Sequence, residues 1–439
     1  MPLQNLFDRR DTMKHTSFLS AKSDLESPLL RYSGAQAAGG RRPAPAGRSS
    51  GTKSGGNRRQ SRKAPGLFYS GLGIDMPFLI MVLVLLVIGI LMMFSASYPV
   101  AYAEEDGDSY YYLKRQLLFA VTGVALMIFT SFINYHTYYR FAKILLAISF
   151  IGLILVLLMP SSTGIRRWIY LGSTPFQVSE LSKFCVIVFM AYIATKNADK
   201  MKYIKYSFLP GAAVFVGTAA LLLAEPHYSC IVIMFFLVLI MLYLGGMPGK
   251  YFLVIFGGAA VAFLIAWSTG ILGYAMTRMD GWGQALIYTT DEMWQTTWQT
   301  RNSLYAIGSG GLTGLGLGNS RQKYLYLPEP QNDFVFAIVC EELGFIGAVA
   351  ILALFALLVW RGIYVSQRAG TTFGKLLGCG ISAQLGLQVI LNILVITDWL
   401  PNTGISLPFF SYGGTSLWMM LIQMGVVLAV SRTSKMEKI

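Results

Sequence analysis

Glu341 and Glu342 are adjacent carboxylates inside an otherwise apolar stretch, and Asp333 stands eight residues before the first of them. On a helix such neighbours point about 100° apart, and Glu341 lies roughly 12 Å beyond Asp333. At that depth in a membrane at least one of the pair must face a polar cavity or a cationic partner, and Asp333 is placed to cap the helix start. A second set, Gln177, Glu180 and Lys183, follows Arg166-Arg167-Trp168. Glu180 and Lys183 are i,i+3 neighbours that either pair with each other or belong to a site, because a Glu and a Lys entering an apolar span are costly. The Arg pair and Trp168 also suit simple interfacial anchoring. A Gly-rich run from Gly308 to Gly318 precedes Ser320, Arg321 and Lys323. Its N–H groups and the following charges can cradle an anion, or the run is a flexible linker; no strand precedes it, so it is not a dinucleotide fingerprint. Leu327-Pro328-Glu329 follows, and a last block from Pro401 to Ser416 carries Thr403, Ser411 and Tyr412 among prolines and glycines. Such irregular backbone is tolerated at membrane depth only where it lines a cavity or is buried in protein. Cations beside carboxylates can hold an anion and move a proton.

The elements that must position these residues are apolar. Of 439 residues, 54% are hydrophobic and only 13% charged, with a mean hydropathy of +0.55. Globular domains average roughly 25% charged residues, so an ordinary soluble enzyme is excluded. The expected fold is an all-α integral membrane protein with about ten transmembrane helices. Spans are predicted near 76–97, 115–133, 140–159, 179–195, 206–224, 229–246, 251–273, 333–360, 375–397 and 413–431, each long enough to cross about 30 Å of hydrocarbon. A long extracytoplasmic loop, about 274–332, separates spans seven and eight, and loops of that size are usually functional. The net charge of +14 is not a nucleic-acid footprint. Thirteen of the 35 Lys and Arg lie in residues 1–66 and thirteen more in loops on the same side. By the positive-inside rule both termini are expected to be cytoplasmic. Residues 1–66, rich in Gly, Ser, Pro and Arg, read as a disordered basic tail, and its Arg58–Lys63 run suits an anionic inner leaflet. No cleavable signal is expected, because the first apolar run starts near residue 76 and is too long for one. Cys185, Cys230, Cys340 and Cys379 all fall in apolar stretches without a C-x-x-C pair, and His15, His136 and His227 lack metal-ligand spacing.

These blocks, in this order, resemble the SEDS family (shape, elongation, division and sporulation proteins; FtsW, RodA and SpoVE) over residues 70–432. The resemblance rests on Arg167-Trp168 with Gln177, Glu180 and Lys183; on Gly314, Gly316, Gly318 and Ser320 with Lys323; on Leu327-Pro328-Glu329; on Asp333-Phe334 with Glu341-Glu342-Leu343-Gly344; and on Pro401 to Gly404 with Ser411 to Gly414. It implies a glycosyltransferase that polymerises lipid II, a disaccharide-peptide on undecaprenyl pyrophosphate, on the outer face of the membrane. The implied partners are a class B penicillin-binding protein, divisome or elongasome proteins and membrane lipids. The implied substrate contacts are Arg166, Arg167, Gln177, Glu180, Lys183, Gln299, Ser320, Lys323, Glu329, Asp333, Glu341, Glu342, Thr403, Ser411 and Tyr412. The acceptor hydroxyl needs a general base, and the leaving pyrophosphate needs Arg, Lys or a divalent cation, Mg or Mn. In the family the essential acid is an outer-loop Asp a few residues before an aromatic-Gln pair, here Trp298-Gln299. Spacing selects Glu292 and residue type selects Asp291; the expectation falls on Asp291, with Glu292 as its rival.

The chain departs from the family pattern in three places. The usual Pro and Gly around that acid are missing. Gln177-Val178-Ser179-Glu180 replaces Gln-Pro-Ser-Glu, and Glu225-Pro226-His227 puts imidazole where the family carries an Asp. Two other functions fit parts of the pattern. A lipid flippase would use polar residues within spans without needing the outer-loop acid, and a scaffold would use the basic tail. The long polar N-terminal extension points to a division-type member.

Overall fold

The computed structural model describes residues 73–159, 166–171, 174–270, 281–287 and 291–433, with backbone alone at 171, 174, 266 and 291–293. The 1–66 tail, and residues 271–280 and 288–290 of the long loop, lie outside the described residues. Among the described residues, twelve α-helices and one hairpin follow in order: α1 (Met76–Glu104), α2 (Tyr111–Phe132), α3 (His136–Leu158), β1 (Trp168–Leu171), β2 (Thr174–Gln177), α4 (Val178–Lys196), α5 (Ile204–Ala224), α6 (Tyr228–Leu244), α7 (Lys250–Ser268), α8 (Asp291–Thr296), α9 (Trp298–Ser309), α10 (Val335–Gln367), α11 (Thr372–Ile396) and α12 (Gly414–Ser431). Eight are long and apolar enough to cross a membrane, and α6 and α7 are shorter apolar helices. Together they are the ten expected spans. Large apolar side chains such as Val121, Leu253 and Leu264 stand exposed on their outer surfaces, as lipid-facing helices require.

The starts and ends of these helices follow local chemistry. Asp75 caps α1 by accepting from the Phe78 N–H at 3.0 Å, with proline in the first turn. The same carboxylate accepts two bonds from Arg361, at 3.1 and 2.8 Å, while the Asp75 N–H donates to Ser431. One residue therefore ties the start of α1 to the far parts of α10 and α12. Arg361 lies within the body of α10 and is the helical partner of that cap. α2 lies along α12, α10 along α11 and α3 along α4. The α2–α12 contact is close enough that a Cβ on Gly425 would strike Thr130 and the Met127 carbonyl.

α10 is broken at Gly344, which sits at φ 67°. A break inside a membrane helix frees backbone groups that must find partners, and the Gly-rich run supplies them. The N–H groups of Leu315 and Gly316 donate to the carbonyls of Glu341 and Glu342, both at 3.0 Å, and those of Phe345 and Ile346 donate to Gly311 and Leu312. A Cβ on Gly314 would collide with the Glu342 carbonyl. The run is thus no free linker: two of its N–H groups, those of Leu315 and Gly316, serve carbonyls of the broken helix, and two of its carbonyls accept from beyond the break.

The two carboxylates are satisfied by the same strap. Glu342 accepts from Lys323 Nζ at 2.9 Å and from Ser95 at 2.7 Å. Glu341 accepts from the Ser320 and Ser309 hydroxyls and from the N–H groups of Arg321 and Gln322. The required cationic partner is Lys323. Removing one member of a fully buried pair leaves an uncompensated charge, costing about 3–5 kcal/mol, whereas replacing both with apolar residues is often neutral. Glu342→Ala should therefore depress the melting temperature of the detergent-solubilised protein steeply, and a Lys323→Met/Glu342→Leu double variant should recover most of it. An unchanged melting temperature in the single variant would refute the pairing.

Asp333 does not cap α10. The helix begins at Val335 with Phe334 at its cap position and no side-chain cap bond. The block from Pro401 to Gly413 is non-helical, as expected, and side chains serve its backbone. Asn392 donates to the carbonyls of Asp333 (2.8 Å) and Ile405 (2.6 Å), Gln116 to Ser411, and Ser229 to Thr403.

Candidate active site

Because the ten apolar helices alternate in direction, α2, α4, α6, α10 and α12 all begin at one face. The Asp75–Arg361–Ser431 cluster marks the other. At the first face lies a cavity of about 640 Å³. Its wall takes Arg115 and Phe119 from α2, Arg167 and Gln177 from the hairpin segment, Glu180 and Lys183 from the start of α4, and His227 and Ser229 from the start of α6. Glu329 and Asp333 precede α10, Gln388 comes from α11, and Tyr412 and Thr415 flank the start of α12. Leu118, Ile233 and Ile405 make an apolar flank. Three cations and the positive ends of several helix dipoles thus meet around one space, with carboxylates beside them.

Lys183 donates to Glu180 at 2.7 Å, with the residues 1% and 7% exposed. The i,i+3 spacing lets them pair, and their position on the cavity wall makes the pair part of the site; the two readings of this motif are not exclusive. Arg167 donates to the Pro226 carbonyl, which fixes it beside the α5–α6 turn. In that turn burial pushes the Glu225 carboxyl up to about 8, with Arg167 opposing. Burial, aided by Arg167 and Lys183, pushes the His227 imidazole down to about 3. Both groups are therefore neutral at pH 7, and His227 Nδ1 is buried without a hydrogen bond.

These shifts set a pH dependence. Glu225, raised from 4.5, contributes stability below that value that is lost as pH rises toward about 8. His227, lowered from 6.5, contributes stability above that value that is lost as pH falls toward about 3. Between 4.5 and 6.5 the folded and unfolded chains bind the same number of protons at these two sites, so their joint contribution is flat there and falls on either side. In melting curves across pH, Glu225→Gln should remove the decline above 6.5, and His227→Gln the decline below 4.5. Curves that superimpose on the wild type would remove the basis for neutral Glu225 and His227.

The structure brings Arg167, Gln177, Glu180, Lys183, Glu329, Asp333 and Tyr412 to the cavity. It does not bring Ser320, Lys323, Glu341 and Glu342 there, since they form the buried strap network. Arg166 is exposed and donates to the Leu157 carbonyl. The Thr403 carbonyl and the Ser411 hydroxyl hold the irregular segment together. Gln299 bridges loops, donating to Pro328 and accepting from Asn402 at 2.7 Å. Helix α8 starts at Asp291, but the side chains of Asp291 and Glu292 lie outside the described residues. Arg301 is 1% exposed; its guanidinium lies 3.7 Å from the Trp294 ring centroid and clamps α8 to α9. Sequence reasoning missed Arg115, Tyr170, Gln388 and Thr415 as wall residues; at Tyr170 the apolar run Trp168–Leu171 hides the alternation that would have signalled it. Among the described residues no group of three or more His, Cys, Asp and Glu gathers to hold a metal. A cation carried on phosphates needs only one or two carboxylates, which Asp333 and Glu329 can provide.

A family model described as Cell cycle protein (FtsW/RodA/SpoVE) matches residues 76–436. Stage V sporulation protein E of Bacillus subtilis (strain 168) is 37% identical over 366 residues, covering 82% of this chain and 98% of the relative. The probable peptidoglycan glycosyltransferase FtsW of Trichlorobacter lovleyi is 35% identical over 366 residues, covering 82% and 94%. A chain from a solved peptidoglycan synthase complex shares the fold, with a TM-score of 0.66, 24% identity and coverage of 82% and 98%. The rod shape determining protein RodA of Thermus thermophilus aligns with a TM-score of 0.60, 25% identity and coverage of 83% and 99%. With the match running from the first residue of α1 to beyond the end of α12, the chain belongs to the FtsW/RodA/SpoVE family.

Proposed function

We propose that the protein is a peptidoglycan glycosyltransferase that polymerises lipid II, with the cavity on the outer face of the cytoplasmic membrane. The observation that carries this reading is the meeting of Arg115, Arg167 and Lys183 with Glu180, Glu329 and Asp333 around one cavity that has an apolar flank. An amphiphile with an anionic head fits such a wall: its isoprenoid chain stays among lipid-facing helices while the cations hold its pyrophosphate. An outer-loop acid, Asp291 or its neighbour Glu292, takes the proton from the acceptor hydroxyl. The hydroxyl oxygen bonds to the sugar C1, the bond from C1 to the pyrophosphate oxygen breaks, and undecaprenyl pyrophosphate leaves. Arg167 and Lys183 stabilise the charge that grows on that leaving oxygen. A bound Mg or Mn ion, held by Asp333 or Glu329 together with the phosphates, would supply further neutralisation.

The charge bias of the sequence supports cytoplasmic termini, since thirteen Lys and Arg fall in residues 1–66 and thirteen more in segments expected on the same side of the membrane. Several relatives carry the name FtsW, which supports a role in septal wall synthesis with a class B penicillin-binding protein and divisome proteins. One structural relative comes from a complex coordinating polymerization and crosslinking. The deciding experiment is reconstitution of the purified protein with such a partner and lipid II. Glycan strands resolved on a gel are the expected product. Movement of lipid II between leaflets without strand formation would replace this reading with a flippase.

A further inference from the structure

The hairpin between α3 and α4 has two unlike faces. Its strands pair antiparallel with Trp168 opposite Gln177, Ile169 opposite Phe176 and Tyr170 opposite Pro175. Directly opposed residues share a face, and successive residues alternate. Ile169 and Phe176 accordingly pack against the hydrophobic core, while Trp168, Tyr170, Pro175 and Gln177 all line the cavity. Trp168 and Tyr170 are 38% and 70% exposed. Among these four residues there is no charge; the cations stand beside them, at Arg167 and on α4 at Lys183.

The geometry points to this face as a saccharide-binding platform, an inference that rests on the glycosyltransferase reading and names the part of the substrate that this wall takes. A pyranose ring presents an apolar C–H face and a hydroxyl-bearing edge. The complementary wall is a flat aromatic with an amide at its margin, which Trp168, Tyr170 and Gln177 provide. Two side chains two residues apart on a strand stand about 7 Å apart along it, so the two rings offer room for more than one sugar. Exposed Trp and Tyr also serve as interfacial anchors. An anchor turns toward lipid headgroups, however, whereas these two rings share a cavity wall with Gln177, which an anchor would not need. The division of the wall follows the division of the substrate: cations for the pyrophosphate, uncharged rings for the N-acetylhexosamines.

The saccharide has two sources, the disaccharide of incoming lipid II and the growing strand, and kinetics tells them apart. Trp168→Ala/Tyr170→Ala is compared with the ring-keeping Trp168→Phe/Tyr170→Phe in reconstituted polymerisation, reading the KM for lipid II and the strand-length distribution. An increase in KM of about three- to tenfold, the size expected for losing aromatic contacts, assigns the platform to lipid II. Shortened strands at unchanged KM assign it to the growing strand. In either case the Phe pair should recover most of the loss, and the melting temperature should stay at the wild-type value. Wild-type KM and length in the Ala pair would overturn the proposal while leaving the glycosyltransferase reading intact. Binding of chitotetraose to the wild-type protein and the Ala pair in nanodiscs gives a readout without catalysis. Binding lost in the Ala pair supports the platform, and equal binding or none in both overturns it, even if the wild type forms no glycan.

Discussion

Asp291→Ala is expected to lower lipid II polymerisation by roughly 10²–10⁴-fold, the span typical for removing a general base, with Glu292→Ala close to wild type. Only one of the two acids is expected to serve as the base. They are adjacent at the start of α8, and adjacent helical residues point about 100° apart. The frame that carries them is well fixed. Arg301 stacks on Trp294 and donates to its carbonyl, Ser303 bonds the Ile396 carbonyl at the end of α11, and Gln299 joins Pro328 to Asn402. Those last two loops flank Glu329 and the Gly404–Ser406 stretch on the cavity wall, so α8 is held to the segments that bound the site. Initial rates in the reconstituted assay, with melting temperatures as the folding control, decide the matter. A large loss in Glu292→Ala alone moves the base to Glu292, and wild-type rates in both variants remove the assignment altogether.

What the sequence revealed and what it concealed follow from the range of the interactions. The ten helices were legible because lipid forces each span to be locally complete: about twenty apolar residues, with every backbone bond made inside the segment. Features that depend on distant partners were not. Glu341 and Glu342 looked like site residues because buried acids are costly, yet the groups that neutralise Glu342 are Lys323 in the preceding loop and Ser95 in α1. Glycine N–H groups serve an anion or a carbonyl equally well, so only the break at Gly344 shows which one the run 308–318 meets. The Arg361–Asp75 bond spans 286 positions. The hairpin escaped notice because Trp168-Ile169-Tyr170-Leu171 contains no polar residue, and its alternation lies in which side chain meets the core. At α4 the local pattern was enough: Glu180 and Lys183 reach the cavity because they occupy the first turns of a helix that begins there, and Gln177 because it stands at that helix's cap position.

Lys183→Met is expected to reduce turnover by about 10²–10³-fold, as removal of one group that stabilises developing charge typically does. The substitution has two consequences that must be separated. It strips Glu180 of a partner at 2.7 Å in a nearly closed environment, which alone costs stability. It also removes a cation from the cavity wall. Glu180→Gln combined with Lys183→Met takes away the orphaned carboxylate, so the double variant should melt near the wild-type temperature. If Lys183 acts on the leaving pyrophosphate, that restored protein stays slow, chiefly in kcat, because the oxygen gains its charge as the glycosidic bond breaks and not on binding. If the double variant regains wild-type turnover, Lys183 serves only to hold Glu180, and the charge on the leaving group must be met by Arg115 and Arg167. The Glu180→Gln single variant sharpens the choice: it keeps the ammonium on the cavity wall, so a lysine that acts on the leaving group should leave kcat well above that of the double variant.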